Sequence, residues 1–173
     1  MGIITWMSVA DLQHPPRRTV ACAVLTISDT RTPAADSSGQ AIQALLEAGG
    51  HVVVERRLVT DDPADITAPV AAWAAQGTCR AIITTGGTGI ARRDVTVEAL
   101  EPLFSVPLPG FGEIFRRLSY DAIGPAAMLS RATAGVIHRS VVFVLPGSEP
   151  AVRLAMTELV LPQLTHVISE LDR

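Results

Sequence analysis

The segment Thr85-Gly86-Gly87-Thr88-Gly89 is the part of this chain best suited to chemistry on a phosphate. Glycine lets the backbone come close to a ligand and adopt positive φ, so that successive N–H groups can face phosphate oxygens. A helix beginning just beyond would add the positive partial charge of its N-terminus. A Gly-rich strand-to-helix turn serves equally well as a plain turn. Asp94, a few residues on, has two roles open to it: a helix N-cap, or a ligand for magnesium, which takes one or two carboxylates and completes its shell with water and substrate phosphate. Asp61 is the best second carboxylate, because it too follows directly on an apolar run. Capping a helix opened by Pro63 is its alternative role, and Asp62 competes for either position.

Two more small polar loops end apolar runs, Ser28-Asp29-Thr30 and Pro146-Gly147-Ser148. If those runs are parallel strands of one open sheet, all these loops lie on one edge, where doubly wound folds bind ligands. All 14 basic residues are arginine. That removes a Walker-type lysine, a Schiff-base lysine and a lysine nucleophile from consideration. It leaves Arg92, Arg93 and Arg131 as candidates to balance phosphate charge, while Arg116-Arg117 read as a solvated helix face. Cys22 and Cys79 border apolar runs without ligand spacing and read as buried free thiols, and the scattered histidines offer no zinc site.

The elements that must carry these loops follow from periodicity. Thr19 to Ile27 is apolar throughout, as a strand buried on both faces should be. Ile42, Leu45 and Leu46 recur at helical spacing until Gly49-Gly50 stops them. His51 to Val59 reads as a strand nearer the sheet edge, because Glu55, Arg56 and Arg57 interrupt it. Pro63 opens a helix to about Gln76, Arg80–Thr85 is a short strand, and a helix starting between Asp94 and Thr96 should turn Leu100 and Leu103 inward. A turn over Pro107–Gly112 precedes a helix near Glu113–Tyr120. Thr133–Ile137 pairs with Val141–Leu145 through His138-Arg139, and Ser148 caps a last helix that Pro162 should kink or interrupt.

The resulting expectation is α/β: a three-layer domain with a mainly parallel central sheet and helices on both faces. At 173 residues with 48% hydrophobic side chains, the chain has material for one core. Residues 1–18, with Pro15-Pro16, read as a flexible tail, and 19–173 as a single domain. A net charge of -3 leaves no basic field for a phosphate backbone, so nucleic acid is not expected as a partner. No apolar run suits a membrane span and no leader pattern stands at the N-terminus, which points to the cytoplasm.

The strings L-T-I-S-D, D-S-S-G, T-T-G-G-T-G-I-A-R-R-D-V-T, P-G-F-G-E, L-S-R and L-P-G-S run in order from Leu25 to Ser148. Together they resemble the molybdopterin adenylyltransferases and their relatives, the MogA and MoaB proteins of molybdenum cofactor biosynthesis and the N-terminal domain of gephyrin. The resemblance implies a magnesium-dependent adenylyl transfer from ATP to molybdopterin, releasing pyrophosphate, in a homo-oligomer, trimer or hexamer, that could meet other molybdenum cofactor enzymes. It implies Asp61 and Asp94 as catalytic and metal-binding residues. Gly86, Gly87, Thr88, Gly89 and Glu113 would hold the nucleotide, and Ser28, Ser130, Arg131, Pro146, Gly147 and Ser148 the molybdopterin. The S-Y-D-A-I-G segment is similar to the MoaB branch, for which a non-catalytic molybdopterin-binding or scaffold role is the alternative.

Overall fold

The computed structural model describes residues 18–173. The proposed tail therefore lies outside the described residues except for Arg18, which is paired with Asp172 at 2.6 Å. Strands β1 (Ala21–Ile27), β2 (Val52–Val59) and β3 (Ala81–Thr85) alternate with helices α1 (Ser37–Ala48) and α2 (Pro63–Gln76). Then come α3 (Thr96–Leu100), β4 (Val106–Pro107), α4 (Pro109–Ile123), β5 (Thr133–Ile137), β6 (Ser140–Leu145), α5 (Glu149–Ala155) and α6 (Leu161–Leu171). The sheet order is β2-β1-β3-β6-β5-β4, parallel from β2 to β6 and antiparallel for β5 and β4.

Both faces are covered, as the sequence reading expects. Alternate residues of a strand point to opposite faces. Cys22, Val24, Ala81, Ile83 and Phe143 pack with α1, α4, α5 and α6 through Ile42, Phe115, Val152 and Leu164. Ala23, Leu25, Ile82, Val142 and Val144 pack with α2 and α3 through Ile66, Trp73 and Leu100. The continuous apolar runs follow from this double cover, and truncating a side chain such as Leu25 to alanine would cost about 2–5 kcal/mol. Cys22 and Cys79 are free and buried, and burial pushes the Cys22 thiol up to about 12.

β2 is the outer parallel strand, as its charges foretell. Glu55 accepts a hydrogen bond from Trp73 Nε1 at 2.6 Å, and the Arg57 guanidinium lies 5.5 Å from the same indole. Four local readings need correction. Pro109–Gly112 is the first turn of α4, with proline at a position that needs no N–H donor. Val106–Pro107 forms a two-residue edge strand, where proline's missing donor faces no ladder. Leu103 is left at the surface, because α3 gives way to a 3-10 turn over Glu101–Leu103. Ser148 holds the N-cap position of α5, but its hydroxyl makes no cap bond. The interruption expected at Pro162 is real: Met156–Val160 is a π-helical segment joining α5 to α6, which accommodates the donor that proline lacks.

Candidate functional site

The chain passes from β1 outward to β2 and then crosses back to place β3 on the other side of β1. That reversal opens a crevice at the carboxyl ends of the strands, the usual ligand position in open α/β sheets. The strands stop together: Thr26 pairs with Thr85, Thr85 with Leu145, and Ile27 with Val59. Four loops therefore start from one level and enclose a cleft of about 380 Å³. Ser28 and Arg31 come from the loop after β1, Asp61 from that after β2, Gly86, Gly87, Arg93 and Asp94 from that after β3, and Gly147 and Ser148 from that after β6.

The first two glycines are required by geometry. Gly86 has φ +109, and a Cβ there would lie 2.1 Å from the Ile27 carbonyl oxygen. Gly87 has φ +62, and its Cβ would meet Thr96 Oγ1 at 2.2 Å and Asp61 Oδ1 at 3.0 Å. The loop thus lies against the end of β1 and brings its backbone beside the Asp61 carboxylate. Thr88 is buried and Gly89 packs under the Asp94 carboxylate, so of the four proposed phosphate-facing residues only Gly86 and Gly87 line this cleft. Thr85 donates its hydroxyl to the Pro146 carbonyl at 2.7 Å, which fixes the loop after β6 beside the glycines and gives Pro146 a structural place behind the lining.

The competition between Asp61 and Asp62 is resolved by hydrogen bonding. Asp62 is the N-cap of α2 and accepts from the Ala64 N–H at 2.8 Å. Asp61 faces the cleft. Its Oδ2 accepts from the Asp29 N–H at 3.1 Å, and its own N–H donates to Asp29 Oδ1 at 2.9 Å, so the loops after β1 and β2 clasp each other. Burial, and then the like charge of Asp29, push the Asp61 carboxyl above its ordinary range, against the Asp29 backbone hydrogen bond and the pull of Arg93. Arg93 Nη2 stands 2.8 Å from Asp29 Oδ2 and 3.5 Å from Asp61 Oδ2.

Asp94 does not cap α3: the N-cap position is Val95, with no side-chain bond. Its Oδ2 accepts from the Ala91 N–H at 2.8 Å and tightens the loop in front of the helix. Among the described residues, no three of His, Cys, Asp or Glu gather into a ready metal cage. Asp61 and Asp94 nevertheless border one cleft, and Asp61 shares the Arg93 guanidinium with Asp29. An oxygen-seeking ion there would complete its shell from water and phosphate, the habit of magnesium.

Arg131, Ser130 and Glu113 are not in this cleft. They line a neighbouring depression of about 420 Å³ between α4 and the segment leading into β5. Arg131 is fully engaged: it pairs with Glu98 and donates to the Asp94 carbonyl at 2.7 Å and the Thr88 carbonyl at 3.3 Å. It ties the glycine loop to its helix, and a third depression, bordered by both Asp94 and Arg131, lies between the other two. Ser130 Oγ is buried and has no hydrogen-bond partner among the described residues. Asp94 thus stands where one hollow passes into the next.

Sequence reasoning missed a further set. Arg31 donates to the Gly147 carbonyl at 2.9 Å and Ser38 Oγ to the same oxygen at 2.7 Å, so both hold the loop after β6. Behind them Asp36, buried, accepts from Thr26 Oγ1 and the Gly39 N–H, each at 2.9 Å, with Arg31 and Arg56 at 3.8 and 3.6 Å. The D-S-S-G string was noticed, but no periodicity connects it to a loop more than a hundred residues away.

Residues 23–166 match the model of a family described as a probable molybdopterin binding domain. A molybdenum cofactor biosynthesis protein B of Bacillus subtilis is 48% identical over 168 residues, 96% of this chain and 99% of the relative. A crystal structure of a molybdenum cofactor biosynthesis protein B superposes with a TM-score of 0.88 at 48% identity, covering 91% of this chain and 98% of that one. The tungsten cofactor synthesizing protein MoaB of Pyrococcus furiosus gives 0.80 at 36% identity over 90% and 99%.

Proposed function

The chain belongs to this molybdopterin-binding family of MogA- and MoaB-like proteins, and from that premise we propose that it works in molybdenum cofactor biosynthesis as an adenylyltransferase in the cleft over Gly86 and Gly87. A terminal phosphate oxygen of molybdopterin attacks the α-phosphorus of ATP, the bond to the β-phosphate breaks, and pyrophosphate leaves. The observation that carries this reading is the meeting of the Gly86-Gly87 backbone with the enclosed Asp61 carboxylate, which shares the Arg93 guanidinium with Asp29.

Such a transfer needs alignment and charge stabilisation and no protein nucleophile, which suits a chain without lysine. Gly86 and Gly87 leave room for phosphate against the backbone, Ser28, Gly147 and Ser148 border the same space, and Asp61 and Asp94 hold the magnesium, which when bound neutralises phosphate charge. The hollow with Glu113, Ser130 and Arg131 takes the remainder of one substrate, with Asp94 at the junction. The exposed apolar side chains Ile114, Tyr120, Ile123, Met128 and Leu129 on and after α4 support self-association. Among the described residues no helix is long and apolar enough to cross a membrane, which accords with work in the cytoplasm.

Magnesium-dependent release of pyrophosphate from ATP in the presence of molybdopterin is the expected result. A second reading, a molybdopterin-holding scaffold, draws support from the match to a probable molybdopterin binding domain and from the arginine seated on Asp29 and Asp61. Molybdopterin binding without pyrophosphate release would establish that reading.

A further inference from the structure

Arg93 is placed unlike the other arginines of the cleft. It sits beside Asp94 in the loop after β3, yet its guanidinium reaches across to the loops after β1 and β2, 2.8 Å from Asp29 and 3.5 Å from Asp61. The two carboxylates are held close by the exchange of hydrogen bonds between Asp29 and Asp61, and cannot separate without opening that clasp. The Asp61 side chain is 7% exposed whereas that of Arg93 is 53% exposed. The acid is therefore fixed and enclosed, while its partner is a long side chain reaching in from solvent, free to swing away.

We infer that Arg93 is a resident counter-ion: it partly balances the Asp29–Asp61 pair before a ligand binds, is displaced from Asp61 by a divalent cation, and then turns to the phosphate of a bound nucleotide. This deepens the adenylyltransferase reading and depends on its choice of Asp61 as a ligand. A cation approaching Asp61 Oδ2 meets a guanidinium already there, and two positive groups cannot share that oxygen in a half-enclosed site without strong repulsion. The phosphate that accompanies the metal supplies a better acceptor, since guanidinium and phosphate match in bidentate geometry. One side chain would thus weaken metal binding before the substrate arrives and strengthen substrate binding afterwards.

These opposite signs make the test. Manganese, as a paramagnetic stand-in for magnesium, is titrated into the protein in phosphate-free buffer, and the free ion is followed by electron paramagnetic resonance. Arg93→Gln is expected to bind manganese about tenfold more tightly than the native chain, and to bind AMP about tenfold more weakly at saturating magnesium by calorimetry. Arg117→Gln removes the same charge from the exposed face of α4, away from the cleft, and should leave the metal affinity unchanged. Manganese binding that is unchanged or weaker in Arg93→Gln, an equal gain in Arg117→Gln, or an AMP affinity unaffected by the loss of Arg93 would each overturn the inference. Thermal unfolding confirms that both variants stay folded. None of these readouts uses molybdopterin, so absence of pyrophosphate release would count against the transfer chemistry and leave the counter-ion result standing.

Discussion

Replacing Asp94 by asparagine separates chemistry from architecture. The structural role of this side chain is one hydrogen bond, from the Ala91 N–H to Oδ2 at 2.8 Å. Asparagine is nearly isosteric and keeps a carbonyl oxygen for that bond. The links through the Asp94 backbone, its N–H to the Ala91 carbonyl and its own carbonyl to Arg131, are untouched. α3 loses no cap, because its N-cap position is Val95. Exchanging a charged acceptor for a neutral one costs about 1 kcal/mol, which for a domain of this size lowers the melting temperature by about 2–4 °C. If Asp94 positions charge against the reacting phosphates, its loss costs at least ~2.7 kcal/mol in the transition state, a ~100-fold fall in turnover. Thermal unfolding and pyrophosphate release measured on the same preparation decide the matter. A melting temperature lowered by ~10 °C or more, with turnover falling only as the folded fraction falls, would refute the reasoning, as would a stable variant with native turnover.

The two neighbouring aspartates should part in the same pair of assays. Asp62→Ala removes the cap of α2 and is expected to lower stability by ~1 kcal/mol with turnover per folded molecule unchanged, whereas Asp61→Asn abolishes turnover at near-native stability. Gly86→Ala should be the most damaging single methyl group in the loop, because at φ +109 its Cβ would lie 2.1 Å from the backbone carbonyl oxygen of Ile27, a residue held in the sheet by its pairing with Val59. A loss above ~3 kcal/mol in urea unfolding is expected. His51 is buried, accepts the Val20 N–H through Nδ1 at 3.3 Å, and has its pKa lowered by burial. The unfolded chain therefore takes up a proton near pH ~6.5 that the folded protein refuses, so stability is full above that value and declines as pH falls below it. His51→Asn should flatten the decline between pH ~7 and ~5.5, read by urea unfolding at each pH.

The fold was legible wherever burial imposed a period. β1 and β6 read as continuous apolar runs because helices cover both faces, and α2 runs from Pro63 to Gln76 as read, with a left-handed Gly77 that the reading did not single out as its stop. What failed was local. The first turn of α4 looked like a loop because Pro109, Gly110 and Gly112 are turn residues as well as helix starters, and Leu103 seemed a core residue because nothing in the sequence shows α3 tightening after Leu100. Of the site, the loop ends after the parallel strands were readable, since parallel topology alone gathers Ser28, Asp61, Gly86 and Gly147. The engagement of Arg131 with Thr88, Asp94 and Glu98 was not, nor was the Asp36 network, because both depend on partners set by tertiary packing.

Because β1, β3 and β6 stop within one residue of a common rung, with Thr26, Thr85 and Leu145 side by side, the floor of the cleft is nearly level. Any deletion of a single residue within one of these strands would pull its loop back by ~3.3 Å and turn its inward side chains to the opposite face. Chains descended from a common ancestor with this cleft are therefore free to exchange Val for Ile along the strands but not to change strand length, and tolerated insertions should fall after α2 and in the hairpin at His138, on connections that carry none of the lining residues.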